Sequence, residues 1–133
     1  ILSFLQITEP LRPKKILDKC LDYVLKKNFN SSFAGFVYHK NFWIDAHKGN
    51  YKLITPVSES NKPRQVRKNI YRADFGVALV SKRNIIMKGN SFIKKPFKIV
   101  PYTQYSGHLD IHTKNDVLFG EMIEKLNKKI KNY

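Results

Sequence analysis

Apolar residues recur at helical spacing in two places, with shorter apolar blocks between them. In KKILDKCLDYVLKKNF, Ile16, Leu17, Cys20, Leu21, Val24 and Leu25 fall on one face, which predicts an amphipathic helix. Pro10 and Pro13 precede it, where the first helical N–H groups lack intrahelical partners anyway. Lys26 and Lys27 close it at its negative end. A second helix is predicted from Asn115 to Tyr133, with Leu118, Met122, Ile123, Leu126 and Ile130 on one side. Asn115 or Asp116 is placed to cap it. Glu121 and Glu124 come early and Lys125, Lys128, Lys129 and Lys131 late, as the macrodipole favours. Its apolar stripe would pack on the protein's own sheet by default, or else dock a neighbouring protein.

Between the helices, three strand-like runs lie near 32–38, 42–47 and 51–57. Bends fall at HKN (39–41) and KGN (48–50), and the second is a hairpin signal. Val66, Ile70 and Tyr71 suggest a short strand. Residues 75–90, FGVALVSKRNIIMKGN, read as two apolar arms around Ser81, Lys82, Arg83 and Asn84. That bend lacks the Asn-Gly or Asp-Gly of a tight turn. A basic passage, KKPFKIVPYTQYSG, leads to a last expected strand, HLDIH. The fold class expected is α+β in two small lobes. An N-terminal helix would pack on a three-stranded antiparallel sheet within 1–61. A mostly β lobe would occupy 62–112, and a helical extension 113–133.

Charge narrows the function. The 133 residues carry 25 Lys and Arg against 10 Asp and Glu, a net of +15. Such an excess repels itself unless a polyanion neutralises it, and nucleic acid is the commonest such partner. An acidic membrane surface comes second, yet the cations are scattered among aromatic and β-branched residues instead of lining one amphipathic helix. No stretch reaches the roughly 20 apolar residues of a membrane span. The opening ILSFLQI lacks the basic flank of a secretory signal. The chain starts at Ile1, as expected where a natural start lies upstream or has been removed. Cys20 is the single cysteine, which excludes an internal disulfide and fits a reducing compartment. Its place on an apolar helix face marks a buried small hydrophobe.

The order of parts resembles the small-subunit ribosomal protein S-eight family. GVALVSKRNIIMK aligns without a gap to that family's hallmark segment: Gly, Ile, Ala, two β-branched residues, Ser-Thr-Ser, a variable residue, Gly, an apolar residue, Met, Thr. Gly76, Ala78, Val80, Ser81, Ile86 and Met87 match; Lys82, Arg83, Ile85 and Lys88 depart. ILDKCLDYVLKKNF is similar to the family's first-lobe helix. LITPVSESNKPRQVRKNIY is similar to its strand ending in Arg-Ile-Ser-Lys-Pro with the basic strand that follows. SGHLDIH stands where its closing Gly-Gly-Glu and last strand lie. The resemblance spans about 10–112; the stretch between Tyr71 and Phe75 is short for the family's second-lobe helix, the passage 89–105 is long, and the C-terminal helix is extra.

The resemblance implies a two-lobed, non-catalytic rRNA-binding protein that supports assembly of the small ribosomal subunit through its rRNA central domain, beside neighbouring ribosomal proteins. Drift plus a tail suggests an organellar, mitochondrial ribosome, with a bacterial cytoplasm as the lesser alternative. No cofactor, metal, membrane or small-molecule substrate is expected. Ser81 would read the shallow minor groove of A-form RNA, where 2′-hydroxyls and base edges are displayed. Lys82, Arg83, Asn84 and Lys88 would contact the same duplex, the cations mainly through phosphate. Lys62, Arg64, Arg67 and Lys68, and Lys14 and Lys15 at the helix start, are further phosphate candidates. Lys94, Lys95 and Lys98 flank Pro96 and Phe97, with Tyr102 and Tyr105 close behind; such cations and rings would clamp a looped nucleotide, or the rings form an aromatic core under an extended loop.

The rival class is a small basic, toxin-like endoribonuclease using two of His39, His47, His108 and His112 as acid and base. His108 and His112 would lie about 13 Å apart along a strand, too far to share a metal. No Gly-rich phosphate loop or nucleophile elbow is present.

Overall fold

Ile16, Cys20 and Val24, four residues apart, are buried along one side of a helix, α1 (Ile16–Leu25), as their spacing predicts. The structure, a computed structural model, describes residues 1–89 and 91–130, without the side chain of Ile130. Lys131 therefore lies outside the described residues. The remaining elements are β1 (Leu2–Phe4), β2 (Ser31–Tyr38), β3 (Trp43–His47), β4 (Asn50–Leu53), α2 (Val57–Ser60), β5 (Ile70–Ser81), α3 (Arg83–Ile86), β6 (Phe97–Tyr102) and α4 (Lys114–Ile130). Arg64–Val66 and Tyr105–His108 are short 3-10 turns. The fold is α+β and carries the C-terminal helix expected.

Contacts separate two compact units: Ile1–Phe36 with the chain from Ala73 onward, and Val37–Arg72. The first is discontinuous in sequence, so its limits differ from the lobe limits read from the hydrophobic pattern.

In the first unit a four-stranded sheet runs β1-β5-β2-β6. β2 and β6 pair in parallel, setting Ser32 beside Lys98, Ala34 beside Val100 and Phe36 beside Tyr102. That side faces α1, because α1 packs on β6 and the buried Cys20 lies beside Ser32. Burial pushes the Cys20 thiol up to about 11, so it stays protonated at neutral pH. On the opposite side Phe33 meets the rings of Phe75 at 5.1 Å and Phe97 at 5.7 Å. β2 is thus buried on both faces from Ser31 to Phe36. A strand so covered belongs in the middle of a sheet.

This explains the first correction. The three-stranded antiparallel sheet expected after α1 does not form. β2 takes β5 and β6 as neighbours, while β3 and β4, exposed along nearly their whole length, pair as a separate two-stranded sheet. β6 escaped the pattern because Pro101 interrupts it; proline is tolerated there since β6 is an edge strand. HLDIH, read as the last strand, instead leaves a 3-10 turn, with Leu109 buried and the Ile111 N–H donating to Thr8 O at 2.8 Å.

The hairpin expected over 75–90 does not form either. β5 runs through Ser81 and is followed by a helical turn, α3, with Ile85 buried. A short apolar run does not distinguish strand from buried helix, and the missing Asn-Gly chemistry was the telling signal. Arg12 fastens the N-terminal segment to β5: its Nε donates to Val77 O at 3.1 Å, and its Nη2 to Gly76 O at 3.4 Å and to Gln6 O.

α4 starts with a reciprocal cap formed by Thr113 and Asp116. Thr113 Oγ1 accepts the Asp116 N–H at 3.3 Å, while the Asp116 carboxylate accepts the N–H groups of Thr113 at 2.7 Å and His112 at 3.0 Å. The cap residue is thus Thr113, ahead of the Asn115 or Asp116 expected; Asp116 serves from the third position. These bonds, the His112 N–H first, hold the Asp116 carboxyl below its ordinary range. Of the apolar stripe, Ile123 is half-buried, whereas Leu118, Met122 and Leu126 stand exposed. The expectation that the whole stripe packs on its own sheet is not met.

In the second unit, β3 and β4 form the hairpin predicted at KGN. Lys48 (φ 43°) and Gly49 (φ 84°) make the two-residue turn between His47 and Asn50. Both central residues need positive φ there, which Gly49 adopts without steric cost.

Candidate nucleic-acid interface

Ser81 ends β5 with its side chain fully buried, 0% exposed. Its hydroxyl lies 3.0 Å from Ser31 Oγ and donates toward Asn30 O. It therefore presents nothing to an RNA groove, and the role expected of it is corrected: Ser81 joins β5 to β2 inside the core. The matching residues Gly76, Ala78 and Val80 are buried with it. The likeness over Gly76–Lys88 falls largely on core positions.

The cations around Ser81 behave differently. The end of β5 meets the start of β2 where the Lys82 N–H donates to Asn30 O at 3.0 Å. The start of β6 meets the same residue: the Asn30 N–H donates to Pro96 O at 2.8 Å and its Nδ2 to Lys95 O at 2.6 Å. Lys82 Nζ donates to Asn28 Oδ1 at 2.7 Å, just past the end of α1. Two asparagines thus knot three chain segments, 26–30, 82–83 and 94–98, into one rim. Asn28 has φ 55°, a left-handed conformation that asparagine tolerates better than most residues.

These segments carry Lys26, Lys27, Lys82, Arg83, Lys94, Lys95 and Lys98 and contain no Asp or Glu. Asp22, one turn back, pairs with Lys26 at 2.8 Å. Lys27 and Lys98 set their ammonium groups 4.9 and 5.5 Å from the centre of the Tyr23 ring. The rim joins four of the residues expected at an RNA site, the pair Lys82 and Arg83 with the pair Lys94 and Lys95, although the two pairs lie more than ten positions apart in sequence. It adds Lys26 and Lys27, expected only to close α1, and Tyr23, which carries no sequence signal; the register that puts Lys98 beside Ser32, on the α1 side, depends on β6.

Asn84 and Lys88 are exposed in and after α3. Lys14 and Lys15 are exposed at the start of α1, the end opposite to Lys26. The ring clamp expected from Tyr102 is excluded: its side chain is buried and its hydroxyl donates to Asp74 Oδ2 at 2.5 Å. Tyr105 stays exposed, its ring edge-on to Phe36 at 5.2 Å.

In the second unit, Arg67 is an internal brace. Its Nη1 donates to His39 O at 2.8 Å and Asn41 Oδ1 at 3.2 Å; its Nη2 donates to Ser60 O at 2.7 Å and Lys62 O at 2.8 Å. A guanidinium so occupied is not placed to clamp phosphate, which corrects that expectation. Lys62 pairs with Glu59 at 2.7 Å, and the Lys68 N–H donates to the same carboxylate at 3.2 Å. The Lys62 bond, then that of Lys68, holds the Glu59 carboxyl below its ordinary range. Arg64 and the Lys68 side chain remain exposed.

Of the histidines, His108 stacks on Phe36 at 4.9 Å and exposed His112 pairs with Asp110 at 2.8 Å. Among the described residues, no group of three or more His, Cys, Asp or Glu side chains is placed to hold a metal, and no helix is long and apolar enough to cross a membrane. The chain matches no protein-family model and no curated protein sequence.

Proposed function

We propose that this chain is an RNA-binding structural protein of a small ribosomal subunit, held on small-subunit rRNA beside neighbouring ribosomal proteins in an organellar ribosome, and that it is not a catalyst. The observation that carries the RNA part is the rim: seven cations on three segments free of acidic residues, fixed by backbone and asparagine bonds to the ends of α1, β5, β2 and β6. Cations gathered on one rim gain counterion release on meeting a phosphate backbone. The ribosomal part is supported by the resemblance over Gly76–Lys88 and the collinear segments around it. It no longer draws on Ser81 as a groove reader. Recognition in this reading is by phosphate geometry across the rim.

The test is gradient sedimentation of extract from cells making a tagged chain. The expected result is co-migration with small subunits and release by ribonuclease. Recovery only in subunit-free fractions would overturn the ribosomal reading. RNA cleavage by the purified chain, lost when His39, His47, His108 and His112 become Ala, would replace it with the nuclease.

A further inference from the structure

We infer that one face of the β3–β4 hairpin is a stacking platform for unpaired RNA bases, centred on Trp43 and Tyr51. This rests on the RNA-binding reading and names the part of the RNA that the second unit takes. The register pairs Trp43 with Leu53 and Asp45 with Tyr51, so these four residues share one face and the two large rings are diagonal neighbours. Diagonal neighbours in an antiparallel pair lie about 7–8 Å apart, within reach of one another for large aromatics. Trp43 is 60% exposed and Tyr51 64%. Rings this exposed on a paired strand contribute little to their own fold.

The hairpin holds the rings firmly enough to serve. Its turn is the two-residue kind set by Lys48 and Gly49, the Ile54 N–H donates to Phe42 O at 2.8 Å just beyond the ladder, and Tyr38 packs edge-on against Phe42 at 5.3 Å. The surroundings decide the occupant. Lys40 and Lys48 are exposed beside the hairpin, and Lys52, paired with Ile44, is exposed on its other face. Across 37–72, eight Lys and Arg stand against Asp45 and Glu59, with Arg67 held internally and Lys62 paired to Glu59. Both acids are engaged, Asp45 Oδ1 accepting the Gly49 N–H at 3.3 Å and Glu59 bonding Lys62 and Lys68. Aromatic faces with cations at their border suit a polyanion that also offers flat apolar rings. Single-stranded RNA is that ligand, since every base has a π-face whereas a duplex hides its own.

Trp43 is the single tryptophan, so its fluorescence reports on this face alone. The intact chain is titrated with a short oligouridylate and with a fully paired RNA duplex, and binding is followed separately by anisotropy of labelled RNA. The platform predicts quenching of Trp43 by the oligouridylate and little change with the duplex. Tyr51→Ala should lower oligouridylate affinity roughly tenfold, with duplex affinity unchanged. Circular dichroism checks that the variant keeps its fold, and the quenching of the unaltered chain stands whether or not it does. RNA binding with Trp43 emission unmoved overturns the platform while leaving the RNA-binding function intact. Failure to bind either RNA overturns both. Emission shifting on anionic lipid vesicles but not with RNA assigns the face to a membrane surface instead.

Discussion

Replacing Lys27, Lys94 and Lys95 together by Gln tests the rim while sparing the fold. Lys94 and Lys95 hold the structure through their main chains: the Lys94 N–H donates to Ser31 Oγ at 3.2 Å and Lys95 O accepts from Asn30. Glutamine keeps both bonds. Lys27 loses its position over Tyr23, worth about 0.5–1 kcal/mol at an exposed site. Each phosphate contact contributes about 0.9 to the slope of log affinity against log salt, so three lost contacts flatten it by about 2.7. Between about 50 and about 200 mM salt, the gap between the original chain and the variant should shrink roughly fortyfold. Filter binding to the rRNA central domain across that salt range reads the slope. A variant that binds more weakly with the slope unchanged would refute the phosphate role. So would one that binds as the original at every salt concentration.

Three other perturbations separate architecture from binding. Ser81→Ala removes one partner of a buried hydroxyl pair and should cost about 1 kcal/mol in denaturant unfolding, with RNA affinity unchanged; a selective loss of affinity would return Ser81 to the interface. Arg67→Ala strands the acceptors on His39, Asn41, Ser60 and Lys62 and should cost about 2–3 kcal/mol, read as faster proteolysis within 37–72. Arg67→Lys should rescue little, because one ammonium cannot replace the fork. Glu59 has a folded pKa below its usual 4.5, so its contribution is fully present above that value and is lost as pH falls through the lower folded pKa. Glu59→Gln should therefore destabilise the protein at neutral pH and converge with it in acid unfolding followed by circular dichroism.

The two long helices and the hairpin were legible because their signals are local, whereas the single turns α2 and α3 were not. Ile16, Cys20 and Val24 announce α1, and Lys48-Gly49 announces the hairpin, since each signal sits within one element. The sheet was not legible to the same degree. Its parallel β2–β6 pairing joins residues more than sixty positions apart, and Pro101 disguises β6 as a loop. β1, three exposed residues, has no pattern of its own. At the site, charge pointed to Lys82, Arg83, Lys94 and Lys95, but it takes the bonds of Asn28 and Asn30 and of Lys94 to Ser31 to bring their segments together. Charge alone also misdirected: Arg67 looks in sequence like any phosphate-binding arginine, and its occupation by carbonyls is a tertiary fact. Ser81 was drawn outward by a motif whose hydroxyl the strand register turns inward.

Crosslink mapping of the chain on isolated small ribosomal subunits tests the central claim most directly. The rRNA crosslinks are expected to concentrate on Lys27, Lys82, Lys94 and Lys95. Crosslinks to rRNA that avoid this rim, or no rRNA crosslinks at all, would contradict it.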